Sequence, residues 1–392
     1  MKKLKILLLL CVFVLSVSLV AFGAEAKKGV IKVGVLMNLT GPWASIDIPA
    51  WNAIQLAVKD INAAGGLLGK KVEAMCIDTK ADEGETVSAA VRLCEKEKVN
   101  VVIGYCDTHW VLTAAPIVRD FNIPFITPGA THPRIPERSG AWLACMTDNA
   151  QASVMAQYLV KDLGMKRTAI WIDNAVDFSV AVCAFYADAF KRFGGQVVYE
   201  DYFETSWTDF SALVTRLKSR ESDVDCVYVG AIPDNIGLIV KQIREGGIDI
   251  PILSEDGADT PLLADTAGEY ADGVIITSHV TFESKDPKVV KFAADYKKMF
   301  KTAPENAFAA LGYDAMMLAA EAIKKINSDD PKKINIGMRM IREYKGVTGS
   351  ISYNEGSQVP WKSVALMKSM GGKFELIKMQ VPEYMPAKEI AK

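Results

Sequence analysis

The feature that most constrains this chain is an alternation, from residue 30 onward, of short apolar segments with longer helical patterns. The apolar segments are rich in β-branched residues, as in residues 30–37 (VIKVGVLM) and 99–103 (VNVVI). They show little polar alternation, which is typical of strands covered on both faces. Parallel neighbours need a long crossover, and helical patterns lie between these strands. The sequence therefore predicts an α/β fold built on doubly wound parallel sheets.

The alternation occurs twice, over residues 30–126 and again over residues 149–253, which indicates two doubly wound units in tandem. In the first unit the pattern predicts helices at residues 49–62 and 108–120, among others. Helical stretches at 287–300 and 306–326 and a strand-rich tail at 347–378 follow. Since no long linker separates the units, we expect two lobes joined by short strand-like crossings, with the last third of the chain crossing back between them. The expected division is a signal peptide at 1–26, lobe 1 at 27–147 plus 280–346, and lobe 2 at 148–279 plus 347–392.

The N-terminus carries the features of a secretory signal peptide. Three lysines within the first five residues precede an apolar run at 6–22, and Ala24-Glu25-Ala26 offers small residues at alternate positions. We expect cleavage after Ala26 and a soluble product exported to the periplasm. An uncleaved membrane anchor is the alternative, because the run approaches the ~18 residues of a membrane span. Cys11 lies inside the run rather than at its end, which disfavours a lipid anchor.

The charge balance excludes a nucleic-acid partner. The 45 basic and 47 acidic residues give a formal net charge of −2, and removal of residues 1–26 makes it more negative. A mildly acidic protein has little electrostatic attraction for polyanions.

Six cysteines remain after the leader, and export permits disulfides between them. Cys76, Cys94, Cys183 and Cys226 fall in apolar strand or helix patterns and are expected to be buried small hydrophobes. Two more cysteines, at positions 106 and 145, follow strands, and their pairing stays open.

The common catalytic signatures are missing from the sequence. No G-x-G-x-x-G or G-x-x-x-x-G-K-[ST] loop follows the first strand, and no G-x-S-x-G elbow is present. The three histidines, His109, His132 and His279, have no Cys or His partner at metal-ligand spacing. The sequence therefore predicts a binding protein without a cofactor or a metal, and not an enzyme.

Polar and aromatic residues cluster directly after the predicted strands. In open α/β sheets a ligand lies beyond the carboxyl ends of the strands, so these positions predict a cleft that binds a small molecule. The alternative is that they serve local structure, with Thr108 and Asp177 as helix N-caps and the tryptophans covering a core. The positions are Trp43, Asp107, Thr108, His109, Trp110, Thr131, His132, Asp177, Phe178 and Asp256.

Several short motifs resemble one family in order and spacing. They are IKVGV and LTGP at residues 31–42, DINAAGGLLG at 60–69, VVIG at 101–104, IPFITPGAT at 123–131, DFSALV at 209–214 and DGV at 272–274. Over essentially the whole length after the leader, the chain resembles the periplasmic branched-chain amino-acid binding proteins, which are extracytoplasmic solute receptors of ABC importers.

The resemblance implies a type I periplasmic-binding fold, in which two lobes joined by a multi-strand hinge close on a solute. By the same resemblance, Thr108 holds the ligand carboxylate, Gly129 offers a carbonyl, and Thr131 offers a hydroxyl and an N–H. Asp256 would receive the α-ammonium group, one carbon shorter than the usual Glu, and Phe178 would cap the ligand.

The sequence also departs from the family pattern, since Ile46 and Ile232 stand where tyrosines are frequent and the region of Trp43 and Trp110 is bulkier than usual. We therefore expect a small carboxylate-bearing cargo, an amino acid that is branched-chain or aromatic, with an aromatic carboxylate as the alternative. The predicted ligand-binding set is Trp43, Thr108, His109, Trp110, Gly129, Ala130, Thr131, Asp177, Phe178, Ile232 and Asp256.

The expected partners are the cargo and the permease subunits of an ABC importer, and the protein is expected to be a monomer. A sensor that reports to a chemoreceptor or kinase is a second possibility, because the same fold serves both roles. An exported hydrolase is a third, disfavoured by the missing nucleophile motifs.

Overall fold

The computed structural model of the chain describes residues 29–354 and 356–391, so the predicted signal peptide lies outside the described residues. The first sheet has five parallel strands in the order β2-β1-β3-β4-β5. The helices that follow its strands cover both faces, which is why residues 101–104 are buried throughout. The elements are β1 Val30–Met37, α1 Ala44–Ala63, β2 Lys71–Asp78, α2 Glu83–Arg92, β3 Val101–Gly104, α3 Thr108–Asp120, β4 Phe125–Thr127, α4 Ile135–Ser139 and β5 Trp142–Leu143.

The second sheet begins with another alternating series, whose strands β6 to β10 are parallel to one another. The chain enters it through α5, which a π-helical turn at Tyr158–Asp162 continues. The elements are α5 Asp148–Gln157, β6 Arg167–Asp173, α6 Asp177–Arg192, β7 Gln196–Phe203, α7 Ser211–Ser219, β8 Cys226–Gly230, α8 Pro233–Glu245, β9 Ile252–Leu253, α9 Pro261–Ala267 and β10 Ile275–Ser278.

The last part of the chain packs a helix beside the first sheet, forms a separate two-stranded sheet of β11 and β12, and adds two strands to the second sheet. The helices are α10 Pro287–Phe300, α11 Ala307–Ile326 and α12 Pro331–Arg339, and the strands are β11 Tyr344–Gly346, β12 Gly349–Ile351, β13 Val364–Met370 and β14 Lys373–Gln380. Helix α11 packs against α1 beside the first sheet. Strands β13 and β14 join the second sheet as antiparallel members and give the order β14-β13-β10-β9-β8-β6-β7. The predicted α/β fold with two parallel-sheet lobes is confirmed.

Close helix packing between α1 and α11 requires a glycine. A Cβ atom at Gly312 would lie 2.2 Å from the carbonyl oxygen of Ala50, which is far inside van der Waals contact. Helix α1 also contains Pro49, which has no N–H to donate to the carbonyl of Ser45 four residues earlier. The side chain of Asn306 donates to that carbonyl at 2.8 Å instead and ties the two helices together.

The hinge contains side chains from distant parts of the chain. Tyr353 donates to the carbonyl of Leu143 at 2.8 Å, and the buried ammonium group of Lys362 donates to the carbonyl of Ala144 at 2.9 Å. Tyr353 packs in the hydrophobic core around the first sheet, and Val364 packs in a core beside the second sheet. The chain therefore crosses from the first lobe to the second between these two residues. The predicted residue boundaries of the two lobes stay a proposal.

Some local predictions were wrong. Helix α1 begins at Ala44 rather than at Pro49, and α12 was not predicted although Asp330 caps it at 2.9 Å. The apolar pattern around residue 361 predicts that Trp361 is a core residue of a strand, but it is 59% exposed. The cysteines of the described residues are free thiols, three of the four expected to be buried are so, and Cys76 is half-buried. Among the described residues, no helix combines the length and apolar character needed to cross a bilayer.

Candidate functional site

Most of the predicted ligand-binding residues are buried at the carboxyl ends of strands, where the two lobes meet. His109 and Asp177 are the exceptions: the side chain of His109 is 43% exposed beside Glu83, and Asp177 is exposed at the start of α6. The nine buried residues are Trp43, Thr108, Trp110, Gly129, Ala130, Thr131, Phe178, Ile232 and Asp256. None of them lines the four described surface cavities of about 200 to 420 Å³.

On the first lobe, Asp47 joins two of the loops that form the site. Its carboxylate accepts the N–H of Asn38 at 2.8 Å, after β1, and the N–H of Cys106 at 2.9 Å, after β3. Burial raises the pKa of Asp47 to about 7, and the two N–H donors oppose that shift. The carboxyl thus fixes the loop that leads into α3.

Helix α3 is capped by Asp107 rather than by Thr108. The carboxylate of Asp107 accepts the N–H of His109 at 3.0 Å, and burial raises the pKa of this carboxyl to about 7. The Thr108 hydroxyl is buried and has no hydrogen-bond partner in the described chain. The Thr108 hydroxyl is therefore not used to cap the helix, and it has no hydrogen-bond acceptor among the described residues.

On the second lobe, Glu255 plays the part that Asp47 plays on the first. Its carboxylate accepts the N–H of Ala231 at 3.2 Å and the N–H of Gly257 at 2.5 Å, joining the loops after β8 and β9. Burial raises the pKa of Glu255 well above its usual range. The ring of Phe178 lies 3.5 Å from the position that a Cβ at Gly257 would take, so the predicted capping aromatic is beside the Asp256 loop.

Asp256 lies at the centre of a buried hydrogen-bond network. Its Oδ1 accepts from Gln151 Nε2 at 2.6 Å, and its Oδ2 lies 2.8 Å from His279 Nε2. Gln151 Oε1 in turn accepts from the N–H of Asp256 at 3.1 Å and from the Thr277 hydroxyl at 2.6 Å. Both carboxylate oxygens of Asp256 therefore already have protein partners.

Asp148 links this network to the predicted first-lobe loop. Its N–H donates to the carbonyl of Thr131 at 2.9 Å, and its Oδ1 accepts from Gln151 Nε2 at 3.1 Å. Burial raises the pKa of Asp148 well above its usual range, and the nearby Thr131 hydroxyl opposes the shift. Its Oδ2 is buried without a hydrogen-bond partner in the described residues.

Several other buried polar atoms in this region lack partners within the described chain. Native proteins satisfy most such atoms, so a cluster of exceptions calls for an explanation. Besides Thr108 and Asp148, the atoms are Asn38 Nδ2, Ser45 Oγ, Trp110 Nε1, Asn149 Oδ1, Ser179 Oγ and His279 Nδ1. They lie in loops or first helical turns beyond strand carboxyl ends, on both lobes, and include hydrogen-bond donors and acceptors.

Apolar side chains surround these polar atoms and connect the lobes. Trp43, Trp110 and Ala130 pack in the first core, and so does Ile232, which follows β8 of the second sheet. His132 of the first lobe lies 6.2 Å, between ring centroids, from Phe185 of α6. The structure therefore brings the two lobes into contact around the predicted site.

Asp148, Gln151 and His279 are not among the site residues predicted from the sequence. Asp148 and His279 each come shortly after a strand, β5 and β10, so the rule that selected the other residues also applies to them. Gln151 follows one helical turn after Asp148, and no local signal distinguishes it. The hydrogen bonds that join these residues span up to 126 positions of sequence.

Comparison with known proteins gives consistent matches over most of the chain. Residues 30–373 match the model of a family described as periplasmic binding protein. An amino acid binding protein of Pseudomonas aeruginosa is 30% identical over 323 residues, which cover 81% of this chain and 84% of the relative.

Two solved structures are also similar. A leucine binding protein, LivK, from Thermotoga maritima is 32% identical with a TM-score of 0.84, covering 90% of this chain and 99% of that chain. A solute binding protein of an ABC transporter from Rhodopseudomonas palustris, in complex with 3,4-dihydroxybenzoic acid, is 25% identical with a TM-score of 0.81. That match covers 91% of this chain and 99% of that one.

Proposed function

Because this chain belongs to the periplasmic binding protein family, we propose that it is the solute receptor of an ABC importer and captures a small carboxylate-bearing solute between its lobes. The observation that carries this proposal is the cluster of buried, unpartnered polar atoms where the two lobes meet. A buried polar atom without a partner costs free energy, so a ligand that satisfies several of them binds favourably.

The first-lobe side of the cluster suits a carboxylate. The Thr108 hydroxyl and the Trp110 indole N–H are donors, and Thr108 begins α3, whose first N–H groups carry the positive end of the helix dipole. Charge-assisted hydrogen bonds of this kind are among the stronger ones in proteins. We place the cargo carboxylate here, with the loop of Gly129, Ala130 and Thr131 beside it.

The second-lobe side suits a positive group, which favours an amino acid as cargo. The carboxyls of Asp148 and Asp256 lie within one hydrogen-bonded network, and Glu255 is next to them. A zwitterion supplies a cation to this side and an anion to the other, so both ends find partners when the lobes close. Trp43, Trp110, Phe178 and Ile232 supply apolar walls that suit a branched-chain or aromatic side chain.

A screen of cargo by thermal unfolding tests this function. We expect one or more amino acids to raise the melting temperature, because a ligand at 100 times its Kd stabilises by about 2.7 kcal/mol. Aromatic carboxylates form the second arm of the screen, since the Rhodopseudomonas palustris protein is in complex with one. Sugars and polyamines are the controls, and a shift with these alone would contradict the proposed cargo class.

The remaining parts of the proposal follow from this role. The protein binds its cargo without chemical change, so mass spectrometry after incubation should recover the cargo intact. Residues 1–26 direct export and are removed after Ala26, and the receptor acts in the periplasm as a monomer that docks on the permease. N-terminal sequencing of the exported protein checks the cleavage site.

A further inference from the structure

We propose that the carboxylate oxygen that receives the cationic group of the cargo is Asp148 Oδ2, and that Asp256 is a positioning residue behind it. This inference rests on the proposed function, because it assigns a role within that binding site. It departs from the sequence expectation, in which Asp256 receives the ammonium group.

The contacts of Asp256 are those of a structural carboxylate. Each of its two oxygens has a protein partner, Gln151 Nε2 at 2.6 Å and His279 Nε2 at 2.8 Å. Its own N–H donates to Gln151 Oε1, so Gln151 holds the residue through both backbone and side chain. With only 2% of its surface exposed, Asp256 is fixed before any cargo arrives.

The contacts of Asp148 leave one oxygen for a ligand. Gln151 Nε2 reaches Asp148 Oδ1 at 3.1 Å and orients the carboxyl group, and the Thr131 hydroxyl is near enough to oppose the rise of its pKa. Oδ2 nevertheless has no partner at hydrogen-bond distance among residues 29–354 and 356–391. The residue is fully buried, so bulk water does not replace the missing donor. A buried carboxylate oxygen is stable only with a donor, and an ammonium group is the strongest donor that a small solute offers.

The position of Asp148 also suits this role. It is the first residue of α5, directly after the chain leaves the first sheet, and its N–H donates to Thr131 of the predicted first-lobe loop. On its other side it reaches Asp256 through Gln151. Asp148 therefore lies between the residues that we place at the cargo carboxylate and the second-lobe network.

Within the part of the chain that the structure describes, no cationic side chain pairs with Asp148. His279 pairs with Asp256, and Lys362 donates to Ala144 and Thr348. The neighbouring carboxyls of Asp256 and Asp107, like burial, disfavour the ionised form of Asp148. A cargo that brings one positive charge to Oδ2 stabilises that ionised form, whereas a simple carboxylate does not.

The test compares amino acids with the same molecules lacking the amino group. Calorimetry is done on the full mature chain with L-leucine and 4-methylpentanoate, and with L-phenylalanine and 3-phenylpropanoate. We expect Asp148→Asn to weaken binding of the amino acid at least tenfold and to leave its des-amino partner within about twofold, because only the ammonium contact is lost. Asp256→Asn is the matched variant, and we expect it to weaken both members of a pair alike.

The outcomes separate this inference from the proposed function. If the wild type binds a carboxylate but does not prefer the amino acid, or if Asp256→Asn alone removes the preference, the role of Asp148 is overturned while the receptor function stands. If the wild type binds neither member of either pair, an amino acid that raises its melting temperature replaces leucine in the comparison, and if no amino acid or carboxylate does so, both fall. Should Asp148→Asn not fold, a crystal structure of the wild type with L-leucine decides. The ammonium nitrogen must lie about 3 Å from Asp148 Oδ2, and a nitrogen on Asp256 would contradict the proposal.

Discussion

At the scale of single residues, the site is built from carboxyls of two kinds. Asp47 and Glu255 each accept two backbone N–H groups and hold two loops together, one pair of loops on each lobe. Replacing either by an amide would leave one buried N–H without an acceptor, at a cost of about 1–3 kcal/mol. Asp148 differs because one of its oxygens is unused by the protein. Burial and charge alone do not separate these roles, but the partners of each oxygen do.

The Thr108 hydroxyl gives a direct test of the carboxylate side. Thr108→Val removes the hydroxyl without breaking a hydrogen bond in the described structure and keeps the shape of the side chain. A hydrogen bond to a charged group contributes about 1.5–3 kcal/mol, so we expect cargo affinity to fall about tenfold to a hundredfold by calorimetry.

Thr113 on the same helix is the matched control for this substitution. Its hydroxyl donates to the carbonyl of His109 at 3.0 Å and belongs to the helix rather than to the site. Thr113→Val should leave affinity within about twofold, as expected for a surface-side change on α3. Equal effects of the two substitutions would show that the hydroxyl of Thr108 does not contact the cargo.

At the scale of elements, close packing of α1 and α11 supports the first-lobe loops of the site. Gly312→Ala would place a methyl group 2.2 Å from the carbonyl oxygen of Ala50, so the helices must separate. Overpacking of this kind costs about 1–3 kcal/mol, and we expect the free energy of unfolding in urea to fall by that amount.

Gly84, near the start of α2, is the control for the effect of alanine on a helix. A Cβ there would lie 3.2 Å from Oδ1 of Asp82, which caps α2 by accepting the N–H of Glu85. Because this exposed side chain can shift and alanine is the better helix former, Gly84→Ala should change stability much less than Gly312→Ala. A loss of stability at Gly84 as large as that at Gly312 would rule out the packing explanation.

The elements also show how far the sequence could be interpreted. Periodicity and caps predicted β1, α3 and α10 with their observed ends, since strong local signals mark those boundaries. The predicted start of α1 at Pro49 was wrong, because the helix continues through the proline. The carbonyl of Ser45, which the proline leaves without a donor, accepts from Asn306 instead, 261 residues later. For the same reason the network of Gln151, Asp256 and His279 could not be predicted. Local sequence patterns predict where strands end, but the hydrogen-bond partners of the side chains there depend on tertiary contacts between distant parts of the chain.

At the scale of the whole molecule, binding and lobe closure are one equilibrium. A solute that contacts both lobes favours the closed state by its differential affinity for that state. A side chain of one lobe that packs against the other lobe also stabilises the closed state. Ile232 meets this description, because it follows β8 of the second sheet and yet packs, 1% exposed, in the core of the first lobe.

Ile232→Ala should therefore shift closure more than folding. Truncating a buried isoleucine to alanine costs about 2–5 kcal/mol in the state in which the side chain is buried. For Ile232 that state is the closed one, in which it packs against the first lobe. We expect cargo affinity to fall tenfold or more, since Kd rises as the fraction of protein in the closed state falls. We also expect a larger radius of gyration in solution scattering.

Ile236, fully buried within the second-lobe core on α8, is the matched control. Ile236→Ala should lower the free energy of unfolding and leave the radius of gyration unchanged. If Ile232→Ala instead lowered unfolding stability as much as Ile236→Ala and left closure unchanged, Ile232 would belong to the fold of one lobe and not to the contact between the two.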